Sequence, residues 1–243
     1  MTNEKKAQTI VIAGVGPGLG ASLARTFARR GCQVGLFART QDYLGDLERK
    51  IKERNGSALS ATVDLTDAEQ IAKGFARIRH AFGPIDGLIY HAGSSAWKGL
   101  VELTSEQFEH SWRVGAYGGF LCAREVVPDM IRTGKGVMIF TGATSSIRGR
   151  AGALDFSSAK FAVRGLAESL AREWWPKGIH VAHVIIDGVI DTPEVRRELS
   201  PGPTEPLLHP DAIAETYWNL ITQDRTAWTF ELDVRPSNED FFV

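Results

Sequence analysis

The chain has 243 residues, 43% hydrophobic and 23% charged, with 28 Lys and Arg against 29 Asp and Glu. That length is ample for one large α/β core, and a formal net charge of −1 leaves no basic footprint for nucleic acid or an anionic membrane. Two cysteines, Cys32 and Cys122, cannot build a disulfide framework or a cysteine-rich zinc site, and no metal site is expected. Met1 to Gln8 reads as a polar tail without the apolar stretch of a signal peptide. No apolar run approaches the ~20 residues of a membrane span, so a cytoplasmic location is expected.

In chain order, Thr9 to Ala13 is a short β-branched run of the kind buried on both faces of a parallel sheet. A glycine-rich loop leads into a helical stretch from Leu19 to Arg30, closed by Gly31. Val34 to Ala38 and Ala58 to Val63 read as strands, separated by a helix from Asp42 to Arg54. Thr66 with Glu69 has the spacing of a capping box for a helix running to Phe82. Ile85 to Tyr90 is the next strand, and Thr104 with Gln107 starts a long helix towards Met130. Val137 to Thr141, helical Phe156 to Trp174, and strand His180 to Ile186 continue the alternation, ending with a helix from Asp211 to Ile221 and a strand from Trp228 to Leu232. This pattern implies βαβ units with right-handed crossovers, hence a doubly wound parallel α/β sheet of about seven strands in a single domain over 1–243. The segment 193–210, rich in proline towards its end, reads as a substrate lid.

The 25 glycines are about one residue in ten, against ~7% on average. Gly14, Gly16, Gly18 and Gly20 lie in the first strand-to-helix loop, where glycine lets the backbone turn tightly and approach a pyrophosphate at a helix N-terminus. The spacing Gly14-x-x-x-Gly18-Leu19-Gly20 resembles the short-chain dehydrogenase/reductase family, whose fold is Rossmann-like. Asp64-Leu65, His91-Ala92-Gly93, Lys160, and Gly188 with Thr192 fit further motifs of that family along the chain. The resemblance implies that Gly14, Gly16, Gly18, Leu19, Gly20, Asp64, Leu65, His91, Ala92, Gly93, Lys160, Gly188 and Thr192 contact a nicotinamide dinucleotide. Arg39, after the second strand, can pair with a 2′-phosphate, and Ala38 offers no carboxylate to repel it, so NADP(H) is favoured over NAD(H).

The same resemblance implies a tyrosine, serine, lysine and asparagine at the reacting end. Only Lys160 is present. Phe156 stands four residues before it, Ala143 falls at the serine position, and Gly115 at the asparagine position. A slip in register would put Thr144 or Ser145 in the serine's place. Ketone reduction by the family's route should then be slow, since a positioned acid contributes roughly 10²–10⁴-fold and an oxyanion donor roughly 10²–10³-fold.

Among possible substitutes, His91 and Tyr90 read as loop support and sheet packing, and Asp155 as a helix N-terminal residue. Asp187 reads either as a turn former or as a carboxylate facing the nicotinamide. Lys160 could itself serve as an acid if desolvated. Trp97 is a candidate pocket wall, and His180 and His183 read as sheet histidines. Trp174, Trp175 and Trp228, with Phe241 to Val243, suggest a homodimer or homotetramer. The function expected is an oxidoreductase acting on a small carbonyl or alkene with an altered site. The alternatives are an inactive NADP-binding sensor or assembly partner and, more remotely, non-redox acid/base chemistry in the same pocket.

Overall fold

The computed structural model describes residues 7–202 and 204–238. β1 (Thr9–Ala13), β2 (Gln33–Ala38), β3 (Ser57–Thr62), β4 (Gly87–Tyr90), β5 (Gly136–Thr141), β6 (Ile179–Ile186) and β9 (Glu231–Val234) form one parallel sheet in the order β3-β2-β1-β4-β5-β6-β9. Two short strands, β7 (Val189–Ile190) and β8 (Leu207–Leu208), pair separately. On one face lie α1 (Leu19–Arg29), α2 (Gln41–Lys52) and α8 (Pro210–Ile221). On the other lie α3 (Ala68–Phe82), α5 (Gly118–Thr133) and α6 (Leu154–Trp174).

The apolar run of β1 explains why both faces are covered. Ile10 and Ile12 pack with Leu23, Phe27 and Tyr217 on one side, while Val11 and Ala13 pack with Phe75, Met130 and Val163 on the other. Each such fully buried large side chain stabilises the fold by about 1.5–3 kcal/mol. The strand order reverses direction beside β1, so the loops after β1 and β4 diverge and leave a crevice at the carboxyl edge of the sheet.

Several local expectations are corrected. The cap of α3 is Asp67, whose carboxylate accepts from the Glu69 and Gln70 N–H groups. Thr66 instead donates its hydroxyl to Asp64. The Thr104 and Gln107 box is present, but α4 (Ser105–Trp112) does not run on regularly to Met130, because a π turn at Arg113–Tyr117 separates it from α5. The Tyr90 hydroxyl donates to the Val114 carbonyl in that turn, and a Cβ on Gly118 would collide with Leu65 and Tyr90, so only glycine fits there. The last strand begins at Glu231 rather than Trp228, since Trp228 is stacked flat on His180 with ring centroids 4.8 Å apart. The segment 193–210 contains α7 (Pro193–Glu198) and returns through β8, whose pairing with β7 anchors it. Among the described residues no helix is long and apolar enough to cross a membrane.

Candidate active site

The crevice is a cleft of about 460 Å³ lined by the β1 loop, the ends of β2 and β3, the loop after β4, and Glu194 of α7. Gly14, at φ +100, sits so close to Ala92 that a Cβ would lie 2.6 Å from the Ala92 nitrogen. A Cβ on Gly20 would lie 2.8 Å from the Val15 Cα, whereas one on Gly16 would meet nothing within 4 Å. The loop is therefore pressed inward at both ends and open to the cleft in the middle, a shape that fits a pyrophosphate held by backbone amides. A larger hollow of about 800 Å³, near the C-terminal ends of α1 and α2, is lined by Arg25, Arg29, Lys50 and Arg54, placed where cations offset helix dipoles.

Arg39 lies exposed on the cleft wall, with no hydrogen bond among the described residues, and beside it is Asp64. The Thr66 N–H and hydroxyl hydrogen bonds and the Arg39 charge hold the Asp64 carboxyl below its ordinary range, against the opposing effect of burial. His91 donates its backbone N–H to Ala13, but its ring Nδ1 is shut off from solvent with no partner among the described residues. Burial, with the nearby Lys160 charge, pulls that imidazole down to about 4, so it is neutral at pH 7. Leu65 and Ala92 are nearly buried and line the cleft, while Leu19 packs into the core and is not among the cleft's lining residues. Thr192 accepts the Val195 N–H as the cap of α7, and its methyl would meet a Cβ on Gly18 at 2.5 Å. Gly188, at φ +152, turns the chain into this segment against Pro236.

Beyond Gly93 the walls change character. Lys160 is 4% exposed, donates to the Thr141 carbonyl at 2.8 Å, and lies 5.5 Å from the Phe156 ring centroid. Burial lowers its ammonium to about 8. Phe156 offers a ring and no proton. Of the two expected rescues of the serine position, the Thr144 hydroxyl is taken up by donation to Asp187, and Ser145 is buried. The Ala143 N–H is itself bonded to Ser146 Oγ at 3.1 Å. Gly115 lies in the π turn, where a Cβ would come within 2.9 Å of the Ala159 Cβ.

Two buried carboxylates brace this end. Asp155 lies in the first turn of α6 as expected, but it also accepts from Ser111 at 2.6 Å, from the Ala96 N–H at 2.8 Å and from Ser95 at 3.2 Å. Burial raises its carboxyl, and those bonds outweigh the effect and leave it below the ordinary range. Asp187 is 2% exposed and gripped by Thr144, Arg148 and Arg235. It is a structural anchor rather than a carboxylate open to the nicotinamide. His183 pairs with Glu231 at 2.9 Å, and Trp175 packs edge-on to both His180 and Trp228, so Trp175 and Trp228 are occupied within the chain. The expected contacts of Phe241 to Val243 lie outside the described residues.

Residues 8–201 match the short chain dehydrogenase family. The chain belongs to that family. Over 96% of its length, this short-chain dehydrogenase is similar to a short-chain dehydrogenase structure from Rhodopseudomonas palustris, with a TM-score of 0.83, 33% identity and 99% of that chain covered. A metagenomic short-chain oxidoreductase solved with NADP covers 95% of it, with a TM-score of 0.83, 26% identity and 97% of its own chain. An uncharacterized oxidoreductase of Staphylococcus saprophyticus is 26% identical over 96% of this chain and 99% of its own. Sequence reasoning missed Glu194 on the cleft, the Asp187 clamp and the Asp155 brace. Only the last left a signal, an acidic residue beside the helix start.

Proposed function

We propose that this short-chain dehydrogenase is an NADP(H)-preferring oxidoreductase that keeps the dinucleotide site and has lost the usual proton-delivering side chains. One observation carries the reading: the cleft at the β1 and β4 loops pairs a glycine turn open at Gly16 with an exposed Arg39 and reaches Gly93, where an added Cβ would lie 3.6 Å from the buried Lys160 Nζ. Gly14, Gly16, Gly18 and Gly20 would cradle the pyrophosphate, Arg39 the 2′-phosphate, Asp64 and Leu65 the adenine side, and His91 with Lys160 the nicotinamide ribose. The Thr192 hydroxyl, which accepts within α7, keeps its proton for donation to the cofactor. A bound reduced nicotinamide supplies the hydride. The proton comes from solvent or from the Lys160 ammonium, because Phe156 and Ala143 carry none. The missing acid and oxyanion donor together remove about 6–9 kcal/mol of transition-state stabilisation for an isolated ketone.

Titration with NADPH, followed by tryptophan fluorescence, tests the reading. The expected result is saturable binding, tighter than for NADH, and then single-turnover oxidation by an acceptor that needs little acid assistance. Absence of binding by either nucleotide at millimolar concentration overturns it. A bound cofactor inert to every carbonyl and enone offered would assign a binding role instead.

A further inference from the structure

Trp97 is held at the mouth of the reacting end in a conformation that its backbone disfavours. Its φ is +52, in the left-handed region where a bulky residue is an outlier, and such strain persists only where the surroundings impose it. The restraints are specific: Ser95 Oγ accepts the Trp97 N–H at 3.1 Å, Asp155 accepts from Ser95 and Ala96, and Asp155 is fully buried. The result is an indole that is 58% exposed, tilted against Phe156 with ring centroids 5.3 Å apart. The Arg150 guanidinium lies 6.0 Å from the indole centroid. An exposed tryptophan normally folds its face onto the protein, whereas this one is braced outward beside an apolar ring and a cation.

The chemistry missing from the floor of the site matches what such a wall would accept. Hydride addition to an isolated ketone leaves an alkoxide, whose conjugate acid is about as weak as water at ~15.7. Reduction of a quinone leaves a phenolate, whose conjugate acid resembles tyrosine at ~10. The difference is about six powers of ten in acidity, comparable with the ~10⁴–10⁷-fold that an absent acid and oxyanion donor forfeit together.

We propose, building on the NADP(H)-oxidoreductase reading above, that the substrate is a quinone whose flat ring stacks on the Trp97 and Phe156 wall with a carbonyl oxygen towards Arg150. The quinone takes two electrons and one proton as hydride from the reduced nicotinamide and a second proton from solvent. The products are the hydroquinone and the oxidised nicotinamide. Trp97 is thereby a specificity-determining residue.

The test uses the full chain with tetramethyl-1,4-benzoquinone and its unconjugated counterpart, cyclohexane-1,4-dione. The quinone should quench tryptophan fluorescence of the cofactor-free protein saturably. Trp97→Ala should weaken that binding about threefold to tenfold, and Trp97→Phe should restore most of it. In single turnover, NADPH oxidation by the quinone, above the protein-free rate, should exceed that by the dione at least 10³-fold. NADPH binding without quinone binding, equal rates for quinone and dione, or a quinone affinity indifferent to Trp97→Ala would each overturn the proposal and leave the dinucleotide reading standing. Failure to bind NADPH would overturn both.

Discussion

Along the cleft from β2 to α6, open and charged groups give way to apolar or already hydrogen-bonded ones. At the β2 end, Gly16 faces open space, Arg39 has no hydrogen-bond partner among the described residues, and Asp64 is held ionised by Thr66 and Arg39. At the α6 end, Phe156 has no polar atom, Thr144 is spent on Asp187, and Gly115 is packed against Ala159. Both ends sit on the same rigid sheet, so the contrast is not one of order. On the proposed function, backbone loops hold the dinucleotide, so its binding would survive change in the side chains that move protons. That proposal makes binding and proton delivery separable parts of this architecture.

The largest test of that separation is to restore the missing groups. Phe156→Tyr with Ala143→Ser should raise single-turnover reduction of cyclohexane-1,4-dione about 10³-fold or more, while the NADPH dissociation constant moves less than fivefold. Unchanged turnover in a folded variant that binds NADPH would break the assignment of these two positions. Next in size, Arg39→Ala should weaken NADPH about 10–100-fold and NADH less than threefold by calorimetry, as expected for a charge-assisted phosphate contact. Equal weakening of both would remove Arg39 from the phosphate site.

The buried ammonium gives a smaller effect with a defined sign. Lys160 titrates at about 8 when folded and near 10.5 when unfolded, so between those values the unfolded chain binds more protons and stability rises with pH. Lys160→Met should abolish that rise in urea unfolding, stabilise the fold at pH 7 by about 1–2 kcal/mol, and weaken NADPH binding. His91 gives the smallest effect, at the acid end. Its folded value of about 4 lies below the ordinary 6.5, so stability falls as pH drops from 6.5 towards 4. His91→Asn should recover about 1 kcal/mol at pH 5.5 relative to the parent, read as a smaller loss of melting temperature between pH 7 and 5.5.

The sheet and the glycine turn beside the cleft were legible in the sequence because both are local: a β-branched run, a glycine spacing and a helix start lie within a dozen residues. Asp187 was not, because its partners Arg148 and Arg235 are 39 and 48 residues away and only the fold brings them together. The same holds for Thr144, whose hydroxyl seemed available until Asp187 claimed it. At the start of α3, Thr66 and Asp67 are adjacent cap formers, and the choice depends on Asp64 engaging Thr66 first. The π turn at Arg113–Tyr117 interrupts a pattern that reads as continuous helix, and its glycines signal it only once Tyr90 and Ala159 are known to press on them.

The close approach of Gly115 to Ala159 also limits how the site can be rebuilt. Because a Cβ at 115 would lie 2.9 Å from the Ala159 Cβ, on a helix that also carries Phe156 and Lys160, any larger residue at 115 must be preceded by glycine at 159 or by a shift of α6. A lone Gly115→Asn exchange thus incurs a packing cost at α6. Rebuilding this corner of the site would require changing 115 and 159 together.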